Sequence, residues 1–167
     1  LEYVRTEQFH SAGRCNVTVT AEIDALAAGT VPVTFAFNGE TRRVDAALTA
    51  GKNEVSADFE VENPKLWYPA GYGEQPLYPL TVTADGMTIS KQIGLRDMQT
   101  VSEKDEYGVC LKFRVNGIDV FAKGADWIPM DSRPETYTRA RYDALLSDAV
   151  EANMNCLRVW GGGLYEN

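Results

Sequence analysis

Two tryptophans beside charged residues are the part of this sequence best suited to chemistry. Asp126 directly precedes Trp127, and Arg158 lies two residues before Trp160. An indole stacks on the C–H face of a pyranose ring, while carboxylate and guanidinium groups hydrogen-bond its hydroxyls. The pattern therefore indicates a sugar-binding surface.

Less specific interpretations of these residues stay open from the residues alone. An isolated tryptophan in a strand is more often a core residue than a ligand contact, and Arg158 could pair with an acid inside a barrel. Asp126 and Asp131 are close in sequence, but two carboxylates form a glycosidase pair only at the right separation. Ser132 lacks a partner for serine hydrolysis, because the single histidine, His10, lies near the other end.

Composition and spacing disfavour several other kinds of site. The chain carries 24 acidic and 16 basic residues, a net charge of −8, which disfavours nucleic-acid binding. No apolar run approaches the roughly 20 residues that span a bilayer, and no targeting signal is visible, so we expect a soluble chain of undetermined compartment. Three unevenly spaced cysteines and one histidine do not match a zinc site, and the glycine run at 161–163 lacks nucleotide-loop spacing. We predict reduced thiols, no metal and no cofactor.

The first part of the chain has the apolar alternation of β-strands. Period-two runs occupy residues 15–23, 31–37, 55–61 and 80–84, with weaker candidates at 42–48 and 88–95. Two of the runs end at the turn dipeptides Asn38-Gly39 and Asp85-Gly86. Six or seven short strands without a helical period predict a mostly β, immunoglobulin-like antiparallel β-sandwich over residues 1–102.

The pattern changes after residue 103. Residues 109–115 and 118–122 alternate around Asn116-Gly117, which predicts a hairpin with a type I′ turn. One helix is predicted at about 139–154, capped by Thr136 or Thr138, and a strand follows at 156–160. Residues 118–160 therefore predict a β-α-β unit with parallel strands, whose ends present both tryptophans and their charged neighbours on one face. Such a unit cannot cover its own sheet, so we expect the chain to stop within an α/β domain.

A series of motifs resembles glycoside hydrolase family 2, and within it the β-mannosidases. They occur in the expected order at residues 63–69 (NPKLWYP), 71–78 (GYGEQPLY), 93–96 (IGLR), 115–117 (VNG), 121–129 (FAKGADWIP) and 152–163 (ANMNCLRVWGGG). The resemblance implies the family's sandwich at residues 1–102 and the first β-α-β of a truncated (β/α)8 barrel at 103–167. It also implies a retaining mechanism with two glutamates from later barrel strands. No position here matches either one, and Glu166 lies where neither is expected, so we assign no catalytic residue.

The resemblance also implies roles for the pocket wall. Arg158 matches a family arginine near the nucleophile, and Trp127 and Trp160 fit the β-mannosidase pattern in lining the site. Related β-galactosidases and β-glucuronidases carry Asn-Arg-His or Asn-Lys-His where this chain has Asp-Trp-Ile at 126–128. This favours an exo-β-mannosidase that removes terminal non-reducing β-D-mannose from oligosaccharides. Asp126 is a departure, because the pattern often has asparagine there.

Two alternatives remain beside the mannosidase hypothesis. One is another family 2 exo-glycosidase, of β-galactosidase or glucosaminidase type. The other is a non-catalytic sandwich scaffold or carbohydrate-binding module. We expect the chain on its own to be inactive, and to self-associate through residues 109–167, where strand edges and a helix face lack cover.

Overall fold

The computed structural model describes residues 1–163, which are mostly β-structure. The strands are β1 (Tyr3–Ser11), β2 (Arg14–Ala25), β3 (Gly29–Phe37), β4 (Glu40–Leu48), β5 (Gly51–Glu62), β6 (Tyr78–Ala84), β7 (Met87–Ile93), β8 (Met98–Val101), β9 (Lys112–Val115), β10 (Ile118–Val120), β11 (Gly124–Trp127) and β12 (Cys156–Val159). Helix α1 (Arg139–Glu151) precedes β12, and Pro134–Thr136 form a short 3-10 helix. No helix among these residues is both long and apolar enough to cross a membrane.

The chain divides into two compact units. The first combines Leu1–Trp67 with Gln75–Asp97, and the second combines Tyr68–Glu74 with the chain from Met98 onward. The first unit contains two antiparallel sheets, in the order β1-β2-β5 and β4-β3-β6-β7. The predicted mostly β class is confirmed.

Alternating apolar side chains from both sheets fill one core in the first unit. Strand β2 buries every second residue between Cys15 and Ile23, and β5 buries its partners from Val55 to Val61. The ring of Phe37 on β3 meets that of Phe59 on β5 edge-on, 5.6 Å between centroids. Burial on one face of each strand explains why the period-two pattern located these strands.

Strand β1 was not among the predicted strands, the first of which began at residue 15. It pairs with β2 along its whole length, from Tyr3 opposite Glu22 to Ser11 opposite Arg14. Only Val4 of its nine residues is fully buried. An edge strand with one buried side chain gives little alternation, so backbone pairing rather than apolar pattern holds it in the sheet.

The second unit begins with a small antiparallel sheet in the order β10-β9-β8. The β9–β10 turn has positive φ at both Asn116 (50°) and Gly117 (80°), as the predicted type I′ turn requires. The unit also contains a separate two-stranded parallel sheet, β11-β12, with α1 between its strands in sequence.

The predicted first strand of the β-α-β unit was wrong in one respect. Residues 118–120 pair with β9 as the end of the hairpin, and the parallel partner of β12 is the separate strand Gly124–Trp127. The chain leaves one sheet at Val120 and enters the other at Gly124. Alternation continued through this stretch without a turn dipeptide, which is why the sequence showed one strand instead of two.

Helix α1 begins and ends at recognisable signals. The hydroxyl of Thr138 accepts a hydrogen bond from the amide of Arg141 at 3.4 Å, so Thr138 is the N-cap that the sequence offered beside Thr136. The helix ends at Glu151, three residues before the predicted Met154. Asn153 has a φ of 56°, a left-handed conformation that stops the helix and redirects the chain toward β12.

Candidate functional site

Asp126 and Arg158 form an ion pair across the parallel strands β11 and β12. The strand register places the two residues directly opposite each other. An Nη1 atom of Arg158 lies 2.9 Å from Oδ1 of Asp126, while the two side chains stay 69% and 50% exposed. An exposed pair of this kind adds little stability, and the remaining donors and acceptors stay open to a polar ligand. Arg158 therefore does pair with an acidic residue, as the sequence left open, and that residue is Asp126.

Trp127 does not share a face with this ion pair, contrary to the expectation from sequence. Neighbouring residues of a strand point to opposite faces, and the indole of Trp127 stacks on the ring of Tyr142 in α1. The two centroids lie 6.2 Å apart with planes 20° from parallel. Tyr142 in turn meets Tyr137 edge-on at 6.2 Å. Trp127 therefore belongs to the helix-facing side of the sheet.

Trp160 follows directly after β12 and lies half exposed. Its backbone amide donates to the carbonyl of Trp127 at 2.9 Å, which extends the pairing of the two strands by one step. Since side chains alternate along extended backbone, Trp160 falls on the side of Arg158. The structure thus brings Asp126 and Arg158 to one side and Trp127 to the other, and alternation continued one residue past β12 assigns Trp160 to the side of the ion pair.

The glycine run 161–163 makes room for the Trp160 indole. A Cβ on Gly162 would lie 2.4 Å from Cζ3 of that ring, so a side chain there would displace the indole. The amide of Gly163 donates to the carbonyl of Trp160 at 2.7 Å and closes a tight turn. The sequence interpretation compared this run with phosphate loops, whereas here its small size accommodates an aromatic ring.

An apolar groove of about 600 Å³ lies between α1 and the parallel strands. Its walls come from Trp127, Tyr142, Leu146, Leu157 and Val159, and the ion-paired Arg139 and Asp143 complete its lining. Tyr142 was not among the candidate site residues that the sequence indicated. Its part in fixing the Trp127 ring needed knowledge of which strand face turns toward α1.

Asp131 is committed to local ion pairing. Its carboxylate accepts from the backbone amide of Arg133 at 3.1 Å and from Nη1 of Arg141 at 3.2 Å. The backbone hydrogen bond from Arg133, followed by that from Arg141, lowers the pKa of Asp131 below its usual value. A carboxyl held ionised in this way is a poor proton donor, which disfavours it as the acid of a glycosidase pair.

The β8–β10 sheet carries a charge cluster that sequence reasoning missed. Nζ of Lys112 lies 3.0 Å from Glu103 and 2.8 Å from Asp119, and Arg114 also bonds Asp119. Hydrogen bonds from Arg114 and then Lys112 lower the pKa of Asp119 to about 2. The sequence did contain a signal for this ion pair, because the predicted hairpin places Arg114 and Asp119 opposite each other across the Asn116-Gly117 turn. Glu103, which precedes β9, joins the cluster through its ion pair with Lys112.

Reactive or metal-binding clusters are few in the described residues. Between residues 1 and 163, no group of three His, Cys, Asp or Glu side chains is placed to hold a metal ion. Cys15 lies 3.4 Å from Nε2 of His10, and burial raises the pKa of its thiol to about 11, which keeps it protonated. Glu166 lies outside the described residues.

Comparison with known proteins identifies relatives along almost the whole chain. The curated β-mannosidase B of Emericella nidulans is 32% identical over 171 residues, covering 98% of this chain and 20% of that protein. The crystal structure of the β-D-mannosidase from Dictyoglomus thermophilum matches 100% of this chain and 22% of its own, with 33% identity and a TM-score of 0.87. The exo-chitosanase of Amycolatopsis orientalis shares the fold, with a TM-score of 0.71 at 20% identity over 97% of this chain and 20% of its own.

The chain thus spans about a fifth of the length of the curated relatives it matches. The family model described as glycosyl hydrolases family 2 matches residues 2–96, which is more than half of the chain. Similarity to β-mannosidases extends over the remaining residues, including the strands that carry Asp126 and Arg158. This chain therefore belongs to the glycosyl hydrolases of family 2.

Proposed function

We propose that the chain is part of a retaining exo-β-mannosidase that hydrolyses terminal non-reducing β-D-mannose residues of oligosaccharides. The observation that carries this proposal is the Asp126–Arg158 ion pair near the carboxyl ends of two parallel strands, with Trp160 two residues after Arg158. These ends are where ligands bind in parallel α/β domains. Similarity to β-mannosidases at 32–33% identity supports the choice of sugar.

We assign the two parts of the chain to different domains. Residues 1–102 are an immunoglobulin-like sandwich, and residues 103–167 are the N-terminal piece of a (β/α)8 barrel. The two sheets with one shared core support the first assignment, and the parallel β11–β12 pair with α1 supports the second. A whole barrel takes about 250 residues, so the remaining strands would come from elsewhere in the parent protein.

Each proposed site residue has a distinct task in the chemistry. Retaining hydrolysis uses one carboxyl as acid/base and a second as nucleophile, and neither is assigned to this chain. The fixed cation of Arg158 would keep a neighbouring nucleophilic carboxylate ionised. Asp126 would accept hydrogen bonds from sugar hydroxyls, and Trp160 would stack on the sugar face. Trp127 stays a predicted lining residue, with a weaker contact than Trp160 because its ring packs on Tyr142.

The first experiment is hydrolysis by the full-length parent of aryl β-mannoside, β-galactoside and β-glucosaminide, compared by kcat/KM. We expect preference for the mannoside with retention of the anomeric configuration, seen by NMR. Preference for another sugar would keep the family and replace the substrate. Activity on none would favour the scaffold or carbohydrate-binding alternative.

Site variants test the assigned roles in the same assay. We expect Arg158→Met to lower kcat/KM for the mannoside by about 100-fold or more, because it removes a charged group from the reacting centre. Trp160→Ala should cost about tenfold, and Trp127→Ala less. Arg43→Met is the matched control. Arg43 is exposed on β4, and its guanidinium pairs with Asp45 on the same strand. An Arg158→Met enzyme as active as the control would contradict the proposed site.

Two properties of the isolated 167-residue chain follow from the same proposal. It should turn over no chromogenic glycoside, and turnover would show that catalytic groups lie within it.

It should also self-associate, because large apolar side chains of the second unit such as Leu111, Phe121 and Val150 are exposed. Size-exclusion chromatography that gives a monomer at both low and high concentration would contradict self-association.

A further inference from the structure

The backbone just before β11 is held by two side chains from distant parts of the sequence. The hydroxyl of Tyr72 accepts a hydrogen bond from the amide of Phe121 at 2.9 Å. The side chain of Asn155 donates from Nδ2 to the carbonyl of Phe121 at 3.1 Å and accepts at Oδ1 from the amide of Lys123 at 2.9 Å. The amide of Asn155 donates to the carbonyl of Lys123 at 2.9 Å. Both backbone polar groups of Phe121 and of Lys123 thus have defined partners.

Tyr72 is delivered by a closed loop within the second unit. The amide of Tyr68 donates to the carbonyl of Glu74 at 2.9 Å, which joins the ends of the loop, and the amide of Tyr72 donates to Pro69 at 3.0 Å. Gly73 lies so close to the Tyr68 ring that a Cβ there would approach it to 2.9 Å. The loop is therefore compact enough to hold the Tyr72 hydroxyl in one place.

These contacts act immediately upstream of the candidate site. The register of the parallel strands begins with Gly124 opposite Cys156 and reaches Asp126 opposite Arg158 two residues later. A two-stranded sheet of four residues per strand has little register preference of its own. Side-chain bonds that tie residues 121–123 to Asn155 define which residue of β11 faces which residue of β12.

We infer that Tyr72 and Asn155 are positioning residues for the Asp126–Arg158 pair, an inference that rests on the function proposed above. Tyr72 fixes the approach of the chain to β11, and Asn155 fixes its register on β12. Neither side chain is assigned a contact with sugar. Both act by keeping the carboxylate opposite the guanidinium, so that their polar groups meet the substrate in one geometry.

The test uses the full-length parent protein with Tyr72→Phe and Asn155→Asp. Tyr72→Phe retains the ring and removes one acceptor, and Asn155→Asp retains Oδ1 while replacing the donor to Phe121. We expect kcat/KM for aryl β-mannoside to fall about 5- to 10-fold in each. Backbone hydrogen exchange should become faster in peptides covering 121–127. Tyr107→Phe is the control, because Tyr107 is 91% exposed, and it should change neither quantity.

A double-mutant cycle separates positioning from a general structural role. In the Asp126→Ala background, Tyr72→Phe should lower kcat/KM by less than twofold, because the side chain that accepts from Arg158 is then absent and no pair is left to position. Equal effects in both backgrounds, or unchanged exchange in 121–127, would overturn the inference. If the wild-type parent hydrolyses no glycoside, the proposed function fails by itself. The exchange experiment then still decides, since unchanged exchange overturns the positioning role and faster exchange supports it as a register device.

Discussion

Replacing Gly124 with alanine is a direct test of how closely β11 approaches β12. A Cβ at Gly124 would lie 1.7 Å from the carbonyl oxygen and 2.7 Å from the carbonyl carbon of Cys156. Both are backbone atoms, so no side-chain rotation relieves the overlap. Close carbon–oxygen contacts between strands are about 3.3–3.6 Å, so the strands must separate locally by on the order of 1.6 Å.

The cost follows from the bonds that this separation breaks. The carbonyl of Lys123 accepts from the amides of Asn155 at 2.9 Å and Cys156 at 3.2 Å, directly beside Gly124. A net loss of about 1 kcal/mol for each of these two hydrogen bonds, with an overpacking cost of about 1–3 kcal/mol, predicts a local destabilisation of about 3–5 kcal/mol. The lower end of that range corresponds to a factor of about 100 in the opening equilibrium of the strand pair.

Hydrogen exchange of the full-length protein, followed by mass spectrometry, measures this opening locally. In Gly124→Ala, peptides covering 123–127 and 155–159 should exchange at least about 100-fold faster than in the wild type. Gly161→Ala is the matched control, because a Cβ at Gly161 meets no atom within 4 Å. Exchange within about threefold of the wild type in Gly124→Ala would refute the close approach of the two strands.

Three further predictions concern the core, a charge cluster and a thiol. Phe35 is fully buried, so Phe35→Ala should lower the free energy of unfolding of the first unit by about 3–5 kcal/mol in urea titration. Hydrogen bonds from Arg114 and Lys112 lower the pKa of folded Asp119 to about 2; the stability they provide is present above pH 3.8 and is lost as the pH falls toward 2. Acid unfolding followed by circular dichroism should show this dependence, and Asp119→Asn should weaken it. Burial raises the pKa of Cys15 to about 11, so mass spectrometry should find this thiol unmodified by maleimide at pH 8 until the protein is denatured.

Most strands of the first unit were predictable because each follows a local rule. Strand β3 buries alternate residues and ends at Asn38-Gly39, where φ is 49° and 83°. Such a turn can be identified from two residues, and such a strand from about eight. Strand β1 follows no local rule, because it is held by pairing with β2 rather than by its own alternation.

The sequence predicted which residues form the candidate site, but not which face of the β11–β12 sheet turns toward α1. Residue types and spacing singled out Asp126 and Arg158, and the structure pairs them at 2.9 Å. Strand alternation places Asp126 and Trp127 on opposite faces, but which of the two faces turns toward α1 depends on where β11 begins and could not be read from sequence. The start of β11 is set by contacts of residues 121–123 with Tyr72 and Asn155. Tyr72 lies about 50 residues before β11 in the sequence, and Asn155 lies about 30 residues after its start.

The motifs at 121–129 and 152–163 together fix the register of β11 on β12. Gly124 allows the carbonyl of Cys156 to approach closely, and any side chain there would exclude that approach. Asn155 supplies the attraction, through hydrogen bonds to the same stretch of β11. A shift of one residue would turn the Asp126 side chain toward α1 and the Trp127 ring toward the other side. The glycine and the asparagine therefore decide, before any ligand binds, which side of the sheet carries charge and which carries the aromatic stack.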